Sequence, residues 1–309
     1  MSPTPIILDV DPGHDDAVAI MLACGAPELE LLAVTTVAGN VPLEKTTNNA
    51  LRILSLIGRP DIPVAAGAFA PLVRPLRTAE DIHGESGLEG PEIPAPSSEP
   101  DGRGATRLMA ETVRESPEPM TLVPVGPLTN VALFLREHPE LKERVAHISL
   151  MGGSIGLGNT TPAAEFNVYT DPEAAREVFE CGLPITMSGL DVTHRAGAGP
   201  AERERLHSLG RVGAVVAELL EYFAGTYERI YGFDAPPLHD PVAVAAVIEP
   251  ALLETRPMRV DVECESELTR GETVCDFYGV MGKPPNAEVG VKLDTEGFFD
   301  LLYRSLGRL

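Results

Sequence analysis

The run Asp9-Val10-Asp11-Pro12-Gly13-His14-Asp15-Asp16 places four carboxylates within eight residues, directly after the apolar stretch Ile6-Ile7-Leu8. Carboxylates are rarely buried without a partner, so packing alone gives no reason for this density. Pro12-Gly13 favours a tight turn, which brings Asp11 back toward Asp15 and Asp16. Oxygens converging on one point repel one another unless positive charge lies between them. A hard cation supplies it, and calcium accepts about six to eight oxygen ligands in flexible geometry. The simpler alternative is an acidic helix N-terminus, with Asp15 and Asp16 favouring the helix dipole. That alternative accounts for these two residues and poorly for Asp11 at the strand end. The spacing lacks the terminal glutamate of an EF-hand and the lysine of a phosphate-binding loop.

Other polar residues gather where apolar runs end. Asn40 follows Thr35-Thr36-Val37-Ala38-Gly39 and suits a helix cap and a donor to bound ligand equally. Val125-Gly126-Pro127 exposes a backbone carbonyl, a competent calcium ligand, although a plain strand-to-helix turn explains it as well. Glu165 and Asn167 are two apart, so in an extended segment they face one way. A carboxylate beside an amide suits a polyhydroxylated ligand such as a sugar, and ordinary loop capping is the alternative. Asp240, before Pro241, is placed as an N-cap with an oxygen to spare for metal. His239 beside it changes charge near neutral pH and could hand a proton to a leaving group. Tyr227 and Tyr231 share one helical face, and His83 lies in an irregular stretch where a lone histidine reads as a surface residue.

The elements that must hold these residues alternate. Apolar strands are predicted at 5–10, 29–37, 62–65, 120–124, 145–151 and 184–188, with helices at 14–24, 43–56, 105–115, 128–136, 172–180, 212–230 and 240–248. Strand-like segments near 258–262, 273–278 and 289–293 precede a closing helix from Phe298. This pattern predicts an α/β fold: one domain over residues 1–309, with an open, mixed, mostly parallel sheet flanked by helices. Ligands of such sheets sit beyond the carboxyl ends of the strands. Residues 70–101, rich in proline and glycine, break the alternation and suit a loop region beside an active site or a linker. The net charge of −22 argues against a nucleic-acid partner and against an anionic membrane surface. The four cysteines form no CxxC pair, which suits reduced thiols and a cytoplasmic protein; no signal peptide or membrane span is expected.

Asp9 to Ala17, Thr36 to Val41, Ile82 to Leu88, Val125 to Asn130, Met151-Gly152-Gly153, Ala164 to Asn167 and Leu238 to Pro241 together resemble, in order, the inosine–uridine-preferring nucleoside hydrolase family. His83 and His239 resemble its pyrimidine- and inosine-cleaving branch. The resemblance implies a Rossmann-like sheet without nucleotide cofactor, a calcium ion at the ribose, and hydrolysis of the N-glycosidic bond to free base and ribose. It implies metal ligation by Asp11, Asp16 and Asp240 through side chains. Val125 would ligate through its carbonyl, where the family usually carries threonine. Asp11 would be the base that takes a proton from a metal-held water, and His239 the acid for the departing base. Asp15 would bind the ribose 2′-hydroxyl and Asn40 the water or the ribose. Asn159, Glu165 and Asn167 would bind the 3′- and 5′-hydroxyls, and His83, Tyr227 and Tyr231 would lie near the base. It also implies a homo-oligomer, dimer or tetramer, in nucleoside catabolism and pyrimidine salvage. The absence of tryptophan disfavours the purine-preferring branch, so uridine and cytidine are the expected substrates, with inosine or broad specificity as the alternative.

Two other classes compete. A haloacid-dehalogenase-type phosphatase also carries two carboxylates two residues apart after its first strand, as Asp9 and Asp11 are, but needs a late lysine. Lys45, Lys142, Lys283 and Lys292 sit in no such motif. A non-catalytic nucleoside-binding module would keep Glu165 and Asn167 and would have no use for Asp11 as base.

Overall fold

The computed structural model describes residues 2–233 and 235–309. The chain begins β1 (Thr4–Val10), α1 (His14–Gly25), β2 (Leu29–Thr36), α2 (Leu43–Leu56) and β3 (Val64–Ala66). After the irregular segment with its short α3 (Glu80–His83) come α4 (Ala105–Glu115), β4 (Met120–Pro124), α5 (Thr129–Glu137) and β5 (Val145–Met151). Then follow α6 (Phe166–Thr170), α7 (Pro172–Glu180), β6 (Ile185–Ser188), α8 (Leu190–Thr193), α9 (Pro200–His207), α10 (Arg211–Tyr231) and α11 (His239–Ile248). The chain closes with β7 (Leu253–Met258), β8 (Val260–Val262), β9 (Thr273–Cys275), β10 (Ala287–Leu293) and α12 (Thr295–Leu306).

Eight strands form one sheet in the order β3-β2-β1-β4-β5-β6-β10-β7, parallel except for β7, which runs antiparallel to β10. Helices cover both faces, so β4 and β1 beyond Thr4 are buried and read as mainly apolar runs rather than alternating ones. One core, containing Val18, Leu22, Leu219, Phe223 and Leu302, fills one face. A second, containing Leu108, Phe134, Val178 and Phe179, fills the other. Helix α1 is buried on nearly every side, packed against α10, α11 and α12. The mixed, mostly parallel α/β sheet is therefore as expected.

The differences lie at the edges. The expected strand at 62–65 begins at Val64, because Pro63 has no N–H to place in the ladder. The segment near 258–262 divides: its first part ends the edge strand β7, while β8 pairs with β9 in a separate two-stranded sheet. The strand expected over 273–278 stops at Cys275, because Asp276 accepts from the backbone of Val280 and Met281 (both 2.8 Å) and closes a turn. Helix α9 was not anticipated, since Ala-Glu-Arg-Glu-Arg carries no apolar stripe. Helix α11 begins at His239, so Asp240 lies in its first turn and Leu238 holds the cap position. The capping geometry expected of Asp240 is therefore absent, and its carboxylate is left for other contacts.

Residues 70–101 form no linker. Arg52 donates to the carbonyls of Ile93 (2.7 Å) and Pro94 (3.3 Å), and Asn49 to that of Ser86 (2.8 Å). Asp171 ties the start of the segment to the body: it accepts from Leu72 N (2.9 Å) and Thr129 Oγ1 (2.6 Å), and caps α7 through Ala174 N (3.0 Å). No described helix is long and apolar enough to cross a membrane.

Replacing Asp171 with alanine removes a helix cap and leaves the buried Thr129 hydroxyl and the half-buried Leu72 N–H unpaired. A loss of about 2–3 kcal/mol is expected in urea unfolding. A loss below about 0.5 kcal/mol would show that the carboxylate is not what holds this segment.

Candidate active site

β1, β2, β4 and β5 end side by side, so the residues that follow them converge on one rim of the sheet. Asp11, Asn40, Val125 and Met151 all stand there. The turn at Pro12-Gly13 then carries the chain into α1 and returns Asp15 and Asp16 to the same place, while the start of α11 brings in His239 and Asp240. A cavity of about 270 Å³ opens on this rim. Its lining includes Asp15, Asn40, His83, Val125, Asn159, Glu165, Asn167, Tyr227, Tyr231, His239 and Asp240.

Asp15, Asp16 and Asp240 each present a carboxylate oxygen, mutually within 4.8 Å, and all three are buried. Asp16 is held by donors: Oδ1 accepts from Asp11 N (3.0 Å), and Oδ2 from Gly13 N (2.9 Å) and Asn40 Nδ2 (3.2 Å). Asp11 lies beside this triplet rather than in it. Its Oδ2 accepts from Asn40 N (2.7 Å), and it is wedged between two glycines. A Cβ on Gly39 would come within 2.1 Å of Oδ2, and one on Gly126 within 2.5 Å of Oδ1. Behind it, Asp9 accepts from Thr35 Oγ1 (2.6 Å) and Asn130 Nδ2 (2.8 Å), leaving its Oδ2 buried without a partner.

Burial is the main cause of the carboxylates' raised pKa values. It lifts Asp9 to about 7 against its two hydrogen bonds. Burial and the charge of Asp16 lift Asp15 to about 7. Burial together with neighbouring carboxylates holds Asp11 and Asp240 well above the usual range. Arg77 at the rim is the one Lys or Arg among the described lining residues. An all-oxygen, buried, mutually repelling donor set with no ammonium or guanidinium in it fits a hard divalent cation.

Glu165, Asn167 and Asn159 have clear local roles. Glu165 caps α6, with Oε1 accepting from Asn167 N (2.8 Å) and Oε2 from Gly153 N (2.9 Å) and Val168 N (3.1 Å). Asn167 lies within α6, not in an extended strand, and its Nδ2 donates to the Val125 carbonyl (2.7 Å). Asn159 Oδ1 accepts from Phe166 N (3.0 Å), and the Asn159 carbonyl accepts from the Tyr231 hydroxyl (3.4 Å) across the cavity mouth. Capping and cavity lining therefore coincide in the same side chains.

On the other side stands an aromatic wall. The rings of His14, His83, Phe223 and Tyr227 follow one another at centroid distances of 4.6–5.3 Å. His83 is buried rather than a surface residue, and its Nδ1 lies 3.1 Å from His14 Nδ1. His14 Nε2 faces the Glu89 carbonyl at 2.9 Å and so carries a proton. His239 Nδ1 pairs with Thr193 Oγ1 (2.8 Å) and Nε2 with the Tyr227 hydroxyl (3.0 Å). Burial pushes His239 down to about 3 and His14 to about 4, and lifts the Tyr227 phenol well above its ordinary value. Thr193, Phe223 and Arg77 were not singled out from sequence. Thr193 lies 46 residues from its partner and no motif marks it. His14 stood inside the aspartate run, but its type and spacing carried no separate signal.

Two measurements follow. With the cation chelated, Asp9 and Asp15 hold their protons in the folded state up to about pH 7, against an unfolded value near 3.8. Their stabilising contribution is thus present below about pH 4 and lost as pH rises through about 7. The thermal midpoint of the chelated protein should fall across this window and recover on adding divalent cation; a flat profile would contradict the buried-carboxylate account. Gly126→Ala should push Asp11 aside and lower turnover at least tenfold with the fold retained by circular dichroism, whereas undiminished turnover would mean Asp11 does not need that position.

The inosine-uridine preferring nucleoside hydrolase profile matches residues 6–300. The chain is 51% identical over 304 residues to the pyrimidine-specific ribonucleoside hydrolase RihA of Salmonella agona (strain SL483), covering 98% of both chains. It is 54% identical over 305 residues to that of Shewanella sp. (strain ANA-3), covering 98% of this chain and 96% of the relative. A solved purine-preferring ribonucleoside hydrolase from Gardnerella vaginalis superposes with a TM-score of 0.92 at 32% identity, over 98% of each chain. With sheet, cavity and sequence in agreement, the chain belongs to the inosine-uridine preferring nucleoside hydrolase family.

Proposed function

We propose that the chain hydrolyses the N-glycosidic bond of ribonucleosides to base and ribose, with uridine and cytidine preferred, using a calcium ion. The observation that carries this is the meeting of the Asp15–Asp16–Asp240 triplet, the Glu165–Asn167 pair and the His239–Tyr227 pair on one cavity. Identity above 50% to pyrimidine-specific relatives supports the preference.

Asp11, Asp16 and Asp240 with the Val125 carbonyl are the proposed calcium ligands, and their oxygen-only chemistry supports calcium over softer metals. Bound there, the ion would supply Lewis acidity to a water and to the ribose diol. Asp11 takes the proton of the attacking water; Asn40 holds one of its oxygens and leaves the other for that proton. Asp15 accepts from the 2′-hydroxyl, and Asn159, Glu165 and Asn167 hold the 3′- and 5′-hydroxyls in the geometry of an oxocarbenium-like transition state. His83 and Tyr231 border the base. Burial keeps His239 neutral, its Nε2 lies 3.0 Å from the Tyr227 hydroxyl, and this pair serves the departing base. The segment 70–101, through Ala79, Ile82 and His83, acts as an active-site loop.

Uridine, cytidine, inosine and 2′-deoxyuridine, each with and without chelator, test this by chromatography of base and sugar. Uracil and ribose from uridine, little from deoxyuridine and none under chelation are expected. Dominant release from inosine would overturn the preference alone, and release from no member would overturn the function. Asp11→Asn should lower kcat by about 10²–10⁴, the range for losing a general base. Because His239 is neutral far below its ordinary value, kcat/KM should show no alkaline fall with a midpoint near 6.5. Such a fall would identify an imidazolium as the acid.

A further inference from the structure

His14 belongs neither to the proposed ligand set nor to the residues bordering the base, yet it is buried and both nitrogens of its ring have partners. It opens α1, with the rings of Phe223 and Tyr222 at centroid distances of 5.0 and 5.3 Å and nearly parallel to it. Its Nε2 lies 2.9 Å from the Glu89 carbonyl, which only accepts, so Nε2 carries a proton. Its Nδ1 lies 3.1 Å from His83 Nδ1. The centroids of the two imidazoles are 5.3 Å apart, close to the widest spacing this nitrogen contact allows, and their planes differ by 22°. The rings therefore meet edge to edge, in the geometry of a hydrogen bond.

Two lone pairs at that distance repel, so one proton lies between the nitrogens. Placed on His14, it would make an imidazolium among buried aromatic rings, and burial opposes the charged form of both histidines. The proton therefore belongs to His83 Nδ1. A neutral imidazole has only one N–H, so His83 Nε2 keeps its lone pair. That nitrogen has no hydrogen-bond partner among the described residues, is not sealed from solvent, and belongs to a ring that lines the cavity. It faces the cavity as an acceptor. The His14 backbone N–H also points at His83 Nδ1, from 3.3 Å. Without the His14 ring, this N–H would claim the Nδ1 lone pair and the proton would move to Nε2.

We propose that His14 is a positioning residue: it fixes His83 with its proton on Nδ1, so that His83 Nε2 accepts a hydrogen bond from an N–H on the edge of the nucleobase. This rests on the nucleoside hydrolase reading above and adds a selective contact to it. Once its N1 is bonded to ribose, uracil has a single N–H, at N3, and cytosine has its N4 amino group. A base that turns only acceptors toward His83 leaves Nε2 facing another lone pair, and such a mismatch of buried polar groups discriminates more sharply than a change of apolar contact.

Nitrogen NMR spectra of the histidine rings in the calcium-loaded protein read the tautomer directly, with His83→Gln identifying the His83 signals by their loss. A protonated Nδ1 and a bare Nε2 are expected at His83 in the wild-type protein. The reverse is expected in His14→Leu, and the wild-type pattern in His14→Asn, whose Oδ1 supplies an acceptor. A proton on Nε2 in the wild-type protein would overturn the proposal, as would an unmoved tautomer in His14→Leu. Uridine and 3-methyluridine, whose N3 carries no hydrogen, give the kinetic measurement. The ratio of kcat/KM for uridine over 3-methyluridine should fall about tenfold in His14→Leu and hold in His14→Asn. The bulk of the methyl group is common to all three proteins and cancels from this comparison. A merely structural role for His14 would lower both substrates alike and leave the ratio unmoved, overturning the proposal. The expected tautomers with release from neither nucleoside would overturn the hydrolase reading, and the base contact with it.

Discussion

The burial of like charge at the end of β1 is the constraint on which the rest depends. Asp9, Asp11, Asp15, Asp16 and Asp240 are all almost wholly out of water. Among the described residues no ammonium or guanidinium lies with them, so the protein must hold their oxygens by other means. It does so with neutral donors: the backbone of Asp11, Gly13 and Asn40, and the side chains of Asn40, Asn130 and Thr35. Each supplies only a partial positive charge, so the repulsion is reduced and not removed. What remains is an appetite for a cation, stored in the fold. The parallel sheet is well suited to this, because the turns at its strand ends leave backbone N–H groups free for carboxylates.

The same economy of contact recurs across the cavity. Glu165 caps a helix and faces the cavity at once; Asn167 steadies the Val125 carbonyl while lining the floor. Such double use explains why bland and functional explanations of these residues could not be separated by spacing. A cap needs one lone pair of a carboxylate, which has several. The structure therefore does not choose between the two explanations; it shows that one side chain satisfies both.

Much of the fold was legible because both faces of the sheet are covered. Buried parallel strands must be apolar throughout, so β1, β2, β4 and β5 stand out in the sequence, and the helices between them carry the complementary periodicity. Legibility failed where packing is one-sided or local. Helix α9 buries little beyond Leu206, and β7 is an edge strand interrupted by Arg256 and Pro257. The aspartate run was legible because its density conflicts with burial. The triplet within it was not: spacing suggested Asp11 with Asp15 and Asp16, whereas the turn through Pro12-Gly13 aims Asp15 and Asp16 at Asp240. Thr193 and Arg77 were invisible because only tertiary contact gives them a partner.

The cavity draws on residues from Asp15 to Asp240, brought together by a sheet in which β1 pairs with β2, the next strand, and with β4, which begins only at Met120. Residues 11–40 hold one part of the site, Asp11, Asp15, Asp16 and Asn40, and the remainder comes from as far along as Asp240. Assembly must wait for long-range pairings, which close late in folding. The turn and helix start after the first strand carry the densest charge of the centre, yet Asp15 and Asp16 meet Asp240 only when α11 docks on α1. Catalytic competence in this molecule therefore reports on completed chain topology, since a chain broken off before α11 would carry Asp15 and Asp16 without Asp240.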